Sequence, residues 1–213
     1  MTTPLTRVAI VGAGVIGASW ATAFLARGID VVASDPAPGA EEALRKIVDA
    51  QWPAMQQIGL SPAASTERLR FAASPEDAVA DAGFVQESGP ERLDIKRDLF
   101  RRLDEAAPAN ALLATSTSTI MISEFQDACT HHPERVVLGH PFNPPHLIPL
   151  VEVGGGKQTR AGRDRASVEL LSRDGQTPDP SAPRDHGPRR QPPSGGAVAG
   201  GVLPRKGRCR ERR

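Results

Sequence analysis

A glycine motif near the start of the chain places the strongest constraint on its fold. The β-rich run Arg7 to Val11 leads directly into Gly12-Ala13-Gly14-Val15-Ile16-Gly17, and a helical stretch follows from Ala18 to Arg27. In this spacing the first glycine permits a tight turn, the second lets a pyrophosphate approach the backbone, and the third lets helix and strand pack closely. The helix N-terminus adds N–H donors and a positive dipole. The motif therefore predicts a nucleotide-binding strand–turn–helix unit that uses Gly12, Gly14, Val15, Ile16 and Gly17.

An acidic residue at the end of the second predicted strand refines the ligand. Asp35 lies 18 residues after Gly17, where a carboxylate can accept hydrogen bonds from an adenosine ribose diol and repel a 2′-phosphate. This favours NAD over NADP, with FAD as a weaker alternative. The other interpretation of Asp35 is a turn-initiating residue before Pro36.

The rest of the first half alternates between strand and helix patterns, which indicates an α/β fold with a doubly wound, Rossmann-type parallel sheet. Further strands are predicted at Ile29 to Ser34, Leu69 to Ala72, Gly83 to Glu87, Ala111 to Thr115 and Arg135 to Gly139, and helices at Ala40 to Ile58, Pro75 to Ala80 and Leu93 to Ala106.

Two polar segments follow predicted strands, at the sheet edge where such folds bind ligands. The first is the hydroxyl-rich run Thr115 to Thr119, which could also be a turn that caps a helix near Ile122. The second contains His140, with Glu152 at a distance that could return a carboxylate to the imidazole. A His–Glu pair suits a base that removes a hydroxyl proton, because the carboxylate fixes the tautomer and stabilises imidazolium. The alternative is a structural histidine.

Several motifs together resemble the 3-hydroxyacyl-CoA dehydrogenase family. They are the glycine motif, the E-S-G-P-E-R-L-D-I-K segment from Glu87 to Lys96, the Ser/Thr run, H-P-F-N-P-P from His140 to Pro145, and L-V-E-V from Leu150 to Val153. The resemblance covers roughly Arg7 to Gly155. The H-P-x-N-P-P form is most similar to the branch that contains L-carnitine dehydrogenase and the L-gulonate dehydrogenase/lambda-crystallin proteins.

The resemblance implies a reaction and roles for four residues in it. His140 would be the catalytic base and Glu152 its orienting carboxylate, with Ser118 and Asn143 near the substrate. His140 would take the proton of a 3-hydroxyl while hydride leaves the same carbon for the nicotinamide, which gives a 3-oxo product. The resemblance leaves three candidate substrates: L-carnitine, a 3-hydroxyacyl-CoA and a sugar acid. We expect a carnitine-like substrate rather than a CoA thioester.

The resemblance also implies that Glu91 and Lys96 line the NAD site. We expect no resident metal, since Cys129 and Cys209 lie far apart and lack metal-ligand spacing. No apolar run approaches the roughly 20 residues of a membrane span, and no secretory signal is recognisable, so we expect no membrane partner and a cytoplasmic location.

The composition changes near Gly156. Up to that residue the chain holds 12 Lys and Arg against 19 Asp and Glu, whereas the last 57 residues hold 14 against 6 and contain no Phe, Trp, Ile or Met. Such a segment cannot form an apolar face, so residues 157–213 are predicted to be a disordered basic tail. We do not expect it to bind nucleic acid, because no aromatic side chains interleave its charges.

A change of reading frame explains the tail better than a function does. Shifted by one nucleotide, the codons of Glu169 to Asp179 can encode S-F-Y-R-A-M-G-K-R-P-I, and those of Gly187 to Pro193 can encode G-H-V-A-N-R-L. The second string is similar to the motif that enters the family's helical second domain. We therefore expect an NAD-binding domain over residues 1–156 and an out-of-frame tail over 157–213. Catalysis would be impaired, a homodimer is expected only for a full-length chain, and the alternative function is a catalytically silent nucleotide-binding fragment.

Overall fold

The predicted strand–glycine–helix unit is present in the computed structural model, which describes residues 5–160 and 177–179. Strand β1 (Arg7–Val11) ends at the glycine motif, and helix α1 (Val15–Ala26) begins three residues earlier than the sequence indicated. It begins there because Gly14 has extended backbone angles and acts as the N-cap. Strand β2 (Asp30–Ser34) then returns to pair with β1 in parallel.

The remaining elements complete an eight-stranded sheet whose order is β3-β2-β1-β4-β5-β6-β7-β8. The first six strands in this order are parallel, β7 is antiparallel to β6, and β8 is parallel to β7. This confirms the doubly wound Rossmann-type sheet. The further elements are α2 (Ala40–Ile58), β3 (Leu69–Phe71), α3 (Pro75–Val79), β4 (Phe84–Glu87), α4 (Leu93–Ala106), β5 (Leu112–Thr115), β6 (Val136–Pro141), β7 (Leu150–Gly155) and β8 (Thr177–Asp179).

Helices cover both faces of the sheet because successive strand residues point to opposite sides. In β1, Val8 and Ile10 pack into the cluster formed with α1 and α2, whereas Ala9 and Val11 pack into the cluster on the opposite face with α3 and α4. All four side chains are at most 5% exposed. A strand buried on both faces appears in the sequence as a continuous apolar run, which is why R-V-A-I-V was recognisable.

Backbone hydrogen bonds align the carboxyl ends of the central strands at one edge of the sheet. Gly12 N donates to Ser34 O at 2.9 Å, Ser88 N to Val11 O at 2.7 Å, and Ser116 N to Glu87 O at 2.8 Å. The glycine motif and both polar segments therefore meet at this edge. None of the helices in the described part of the chain is both long and apolar enough to cross a bilayer.

Most of the predicted tail lies outside the described residues, but Thr159, near its start, packs against the sheet. Thr159 is 4% exposed; its hydroxyl donates to Val136 O at 2.7 Å and accepts from Gly156 N at 2.9 Å. Arg160 N donates to Glu134 O at 3.1 Å. These contacts extend the packed region past the predicted boundary at Gly156, and the short strand β8 adds a further element that the sequence did not indicate.

Candidate active site and nucleotide-binding loop

The glycine loop has the geometry that a dinucleotide requires. Gly12 has φ +97°, and a Cβ built on it would lie 2.7 Å from the Ser88 carbonyl, while a Cβ on Gly17 would lie 1.9 Å from the Gly12 oxygen. A Cβ on Gly14 would meet no atom of the described residues within 4 Å. Packing within the protein thus requires the first and third glycines, and the open space at the second is where a pyrophosphate can approach. The residues present fit NAD.

The N-terminus of α1 supports this fit. No side chain caps the helix and its first turn holds no acidic residue, so its free N–H donors and dipole remain for an anion. Val15 is 70% exposed at this end, whereas Ile16 packs partly into the core. Of these two residues, Val15 therefore has the surface available to a cofactor.

Asp35 forms the predicted turn contact and also contacts the glycine loop. One carboxylate oxygen accepts from Ala37 N at 2.9 Å, as in a turn, and the other accepts from Ala13 N in the glycine loop at 2.8 Å. A carboxylate has about four lone-pair sites, so two hydrogen bonds leave room for a ribose diol. Its contact with the cofactor stays a prediction.

The structure brings His140, Glu152 and Ser118 together. His140 and Glu152 are directly opposed on β6 and β7, and the imidazole Nδ1 lies 2.8 Å from Glu152 Oε2. Both side chains are about nine-tenths buried. Because a carboxylate only accepts, Nδ1 carries a proton, and in the neutral imidazole Nε2 is then the acceptor. Ser118 Oγ lies 3.2 Å from Nε2, so in that form its hydroxyl donates to this nitrogen.

Asn143 is exposed in the loop between β6 and β7, which Phe142 N closes by donating to Leu150 O at 3.0 Å. In the described structure it lies outside the hydrogen-bonded set formed by His140, Glu152 and Ser118. Its place near the substrate stays a prediction.

Glu91 organises the turn that carries Ser118. Its Oε1 accepts from Thr117 Oγ1 at 2.6 Å, Ser118 N at 2.9 Å and Thr119 N at 2.7 Å. Burial opposes ionisation of this carboxyl, but the hydrogen bonds from Thr117 and Thr119 and the charge of Lys96 outweigh it and lower the pKa of Glu91. In the structure Glu91 holds the turn that carries Ser118, and its predicted contact with the cofactor stays a prediction.

Lys96 lies beneath the site rather than on its surface. It is 1% exposed, and its Nζ lies 2.9 and 2.8 Å from the two carboxylate oxygens of Glu87, which is equally buried. Glu87 also accepts from Thr115 Oγ1 at 2.6 Å and from Gly89 N at 2.7 Å. A buried ammonium needs such a partner, and here the pair ties β4, β5 and α4 together. The contact of Lys96 with the cofactor stays a prediction.

Sequence reasoning did not assign a role to Glu87. The available signal was an acidic residue that ends the buried strand F-V-Q-E, because an unpaired carboxylate is rarely found at such a position.

Comparison with known families and relatives agrees with this geometry. The family model for the NAD-binding domain of 3-hydroxyacyl-CoA dehydrogenase matches residues 7–179. The L-carnitine dehydrogenase of Streptomyces coelicolor is 55% identical over 175 residues, which are 81% of this chain and 54% of that protein. The L-carnitine dehydrogenase of Pseudomonas aeruginosa is 52% identical over 176 residues, with 83% and 54% covered.

Two solved structures show the same fold. One is 5-formyl-3-hydroxy-2-methylpyridine 4-carboxylic acid 5-dehydrogenase, described as an NAD+-dependent dismutase, with a TM-score of 0.78, 32% identity, and 86% of this chain and 59% of that chain covered. The other is 3-hydroxybutyryl-CoA dehydrogenase from Escherichia coli K12, with a TM-score of 0.73, 30% identity, and 83% and 38% covered.

The extent of the matches bears on the domain boundary. The chain spans about half the length of the curated relatives it matches. The family match continues to Asp179, beyond the end of the resemblance at Gly155 that the motifs indicated. The glycine loop, the buried His–Glu pair and the family match lead to one conclusion: the chain belongs to the 3-hydroxyacyl-CoA dehydrogenase family and contains its NAD-binding domain.

Proposed function

We propose that this chain carries the catalytic half of an NAD-dependent dehydrogenase that oxidises the 3-hydroxyl of a small L-3-hydroxy acid, with a carnitine-like substrate preferred over a CoA thioester. The observation that carries the proposal is the continuous chain from Ser118 through His140 to Glu152. The relatives named L-carnitine dehydrogenase, at 55% and 52% identity, support the choice of substrate.

The His140 geometry suits removal of a hydroxyl proton. In the neutral imidazole the proton lies on Nδ1, which donates to Glu152, so Nε2 can accept the proton of a substrate hydroxyl placed where Ser118 now lies. The Glu152 carboxylate then stabilises the imidazolium that forms. Ser118 can turn its hydroxyl toward the same substrate oxygen. When bound, NAD supplies the nicotinamide that accepts the hydride from the substrate carbon.

The cofactor half of the proposal depends on the glycine loop and Asp35. The pyrophosphate would bind over Gly14 at the N-terminus of α1, where a Cβ would meet open space. Asp35 would accept from the adenosine ribose diol and disfavour a 2′-phosphate. Asn143 would contact the substrate from the loop between β6 and β7.

A second function is nucleotide binding without turnover. It rests on the glycine loop, which fits NAD independently of the His140–Glu152 pair, and on a match that spans 54% of each of the two L-carnitine dehydrogenases described above. In the first function the complete protein also contains the family's helical domain. It then forms a homodimer and is located in the cytoplasm. In the second, residues 157–213 are translated out of frame.

The first experiment is to sequence the gene from independently prepared DNA, across the codons from Val153 to Asp179. The range extends past Gly156 because Thr159 packs against the sheet and the family match reaches Asp179. An extra or missing base would restore a second domain. If the present frame is confirmed, the natural product is this chain, as the second function requires.

The second experiment assays the present chain, and any frame-corrected chain, for NADH formation with L-carnitine, with 3-hydroxybutyryl-CoA as the competing substrate. We expect turnover of L-carnitine that disappears in His140→Gln and persists in His131→Gln, a matched change at an exposed histidine. Turnover by the present chain would exclude the silent fragment. No turnover by either chain would overturn the proposed activity.

A further inference from the structure

A row of hydrogen-bonded polar side chains runs along the sheet edge between the glycine loop and His140. Gln86 of β4 is fully buried, and its Nε2 donates to Gly139 O at 3.0 Å and to Ser116 Oγ at 2.8 Å. Ser116 Oγ lies 3.0 Å from Ser88 Oγ. None of the three side chains takes part in the proton removal proposed above.

The Gly139 carbonyl sets the direction of this row. A carbonyl only accepts, so the Gln86 amide must turn its nitrogen toward Gly139. The same nitrogen then donates to Ser116 Oγ, and we take Ser116 as the donor to Ser88, the direction that continues the row. Reversing the amide would place Gln86 Oε1 against the Gly139 oxygen, so this orientation is favoured even though Oε1 has no partner among the described residues.

The consequence is a directed donor at Ser88. Because the Ser88 oxygen already accepts from Ser116, its own proton is available to a ligand. Ser88 and Ser116 are both partly exposed, unlike Gln86 beneath them. Hydrogen bonds in such a row polarise one another, which strengthens the terminal donor.

The position of Ser88 indicates which part of NAD it meets. Its backbone packs against Gly12, where an added Cβ would lie 2.7 Å from the Ser88 carbonyl. Along the sheet edge, β1 carries the glycine loop, β4 carries Ser88, β5 carries Ser116, and β6 carries His140. The pyrophosphate belongs at the first of these strands and the reacting carbon at the last, so the group between them is the ribose next to the nicotinamide.

We propose that the Ser88 hydroxyl, directed by Gln86 through Ser116, donates a hydrogen bond to a hydroxyl of the nicotinamide-side ribose of NAD. This inference rests on the NAD cofactor and is independent of the hydroxy substrate.

Three ligands of increasing length test it in the full chain by titration calorimetry. ADP lacks the second ribose, ADP-ribose adds it, and NAD adds the nicotinamide. In Ser88→Ala we expect unchanged affinity for ADP and affinities for ADP-ribose and NAD about three- to tenfold weaker, the loss typical of one neutral hydrogen bond. Ser116→Ala should produce a smaller loss with the same two ligands.

The matched control is Ser61→Ala. Ser61 Oγ also makes one hydrogen bond, from Ala63 N, but its backbone N–H donates to Ala26 O at the opposite end of α1. The Ser61→Ala variant should bind ADP, ADP-ribose and NAD with the same affinities as the parent chain.

Three results would overturn the proposal. They are parent-like affinity of Ser88→Ala for ADP-ribose, an equal loss for all three ligands, or a parent chain that binds ADP-ribose no more tightly than ADP. The outcome is separable from the proposed activity: a Ser88 effect on ADP-ribose in a protein that does not oxidise L-carnitine would overturn only the activity.

Discussion

His140 and Glu152 are opposed residues of an antiparallel strand pair, and the imidazole Nδ1 lies 2.8 Å from the carboxylate. Glu152→Gln keeps an oxygen that can accept from Nδ1 but removes the charge that stabilises imidazolium. We therefore expect kcat for L-carnitine to fall by about 10²-fold or more, with little change in NAD affinity. Steady-state kinetics on the chain form that turns over would measure this, with Glu134→Gln as the control. A parent-like kcat would show that the charge is dispensable.

Alanine at the second and at the third glycine of the loop should have different effects on folding and on NAD binding. In Gly14→Ala the new methyl meets no atom of the described residues, so we expect an unchanged melting temperature and NAD binding weakened at least about tenfold. In Gly17→Ala the methyl would lie 1.9 Å from Gly12 O, so we expect loss of stable folding. Calorimetric melting and NAD titration separate these outcomes. Tight NAD binding by Gly14→Ala would place the pyrophosphate elsewhere.

Replacing Lys96 should show how much a buried Glu87 carboxylate without its cation lowers the free energy of unfolding. Because both side chains are 1% exposed, Lys96→Met leaves a buried carboxylate without its cation, and we expect a loss of about 3–5 kcal/mol in the free energy of unfolding. Adding Glu87→Gln removes that charge and should recover much of the loss. Urea unfolding of both variants measures this, with the exposed Lys46→Met as the control. If the double variant were no more stable than the single one, the charge would not be the cause.

Cys129 should make stability depend on alkaline pH. Burial raises the pKa of its thiol to about 12, whereas an unfolded thiol titrates near 8.5. The folded state therefore keeps the proton where the unfolded state loses it, and the stabilisation present below about pH 8.5 is lost as pH rises toward 12. Each pH unit in this window should lower the free energy of unfolding by up to about 1.4 kcal/mol.

The measurement is urea unfolding between pH 8.5 and 10, for the parent and for Cys129→Ala, both in a Cys209→Ser background. The parent should lose more stability across this range than Cys129→Ala does. Equal slopes for the two proteins would show that the buried thiol does not cause the dependence.

The elements of the first half were predictable because each buried strand appears as a short apolar run bounded by glycine, proline or polar residues. The His140–Glu152 pair was also predictable, since the spacing of the two motifs suggested that a carboxylate could return to the imidazole. The partners of Glu91 and Lys96 were not, because Glu91 binds a turn that begins 26 residues later along the chain, at Thr117. Such contacts depend on how α4 packs beside β5, which no local pattern encodes.

Because β7 runs antiparallel to β6, a single loop joins the strands that carry His140 and Glu152. This loop is the segment 142–149, which lies outside the sheet between the two paired strands. Its ends are fixed by the strand ladder and by the bond from Phe142 N to Leu150 O. We therefore expect that residues of this loop, Asn143 included, can be exchanged while His140 and Glu152 stay in register.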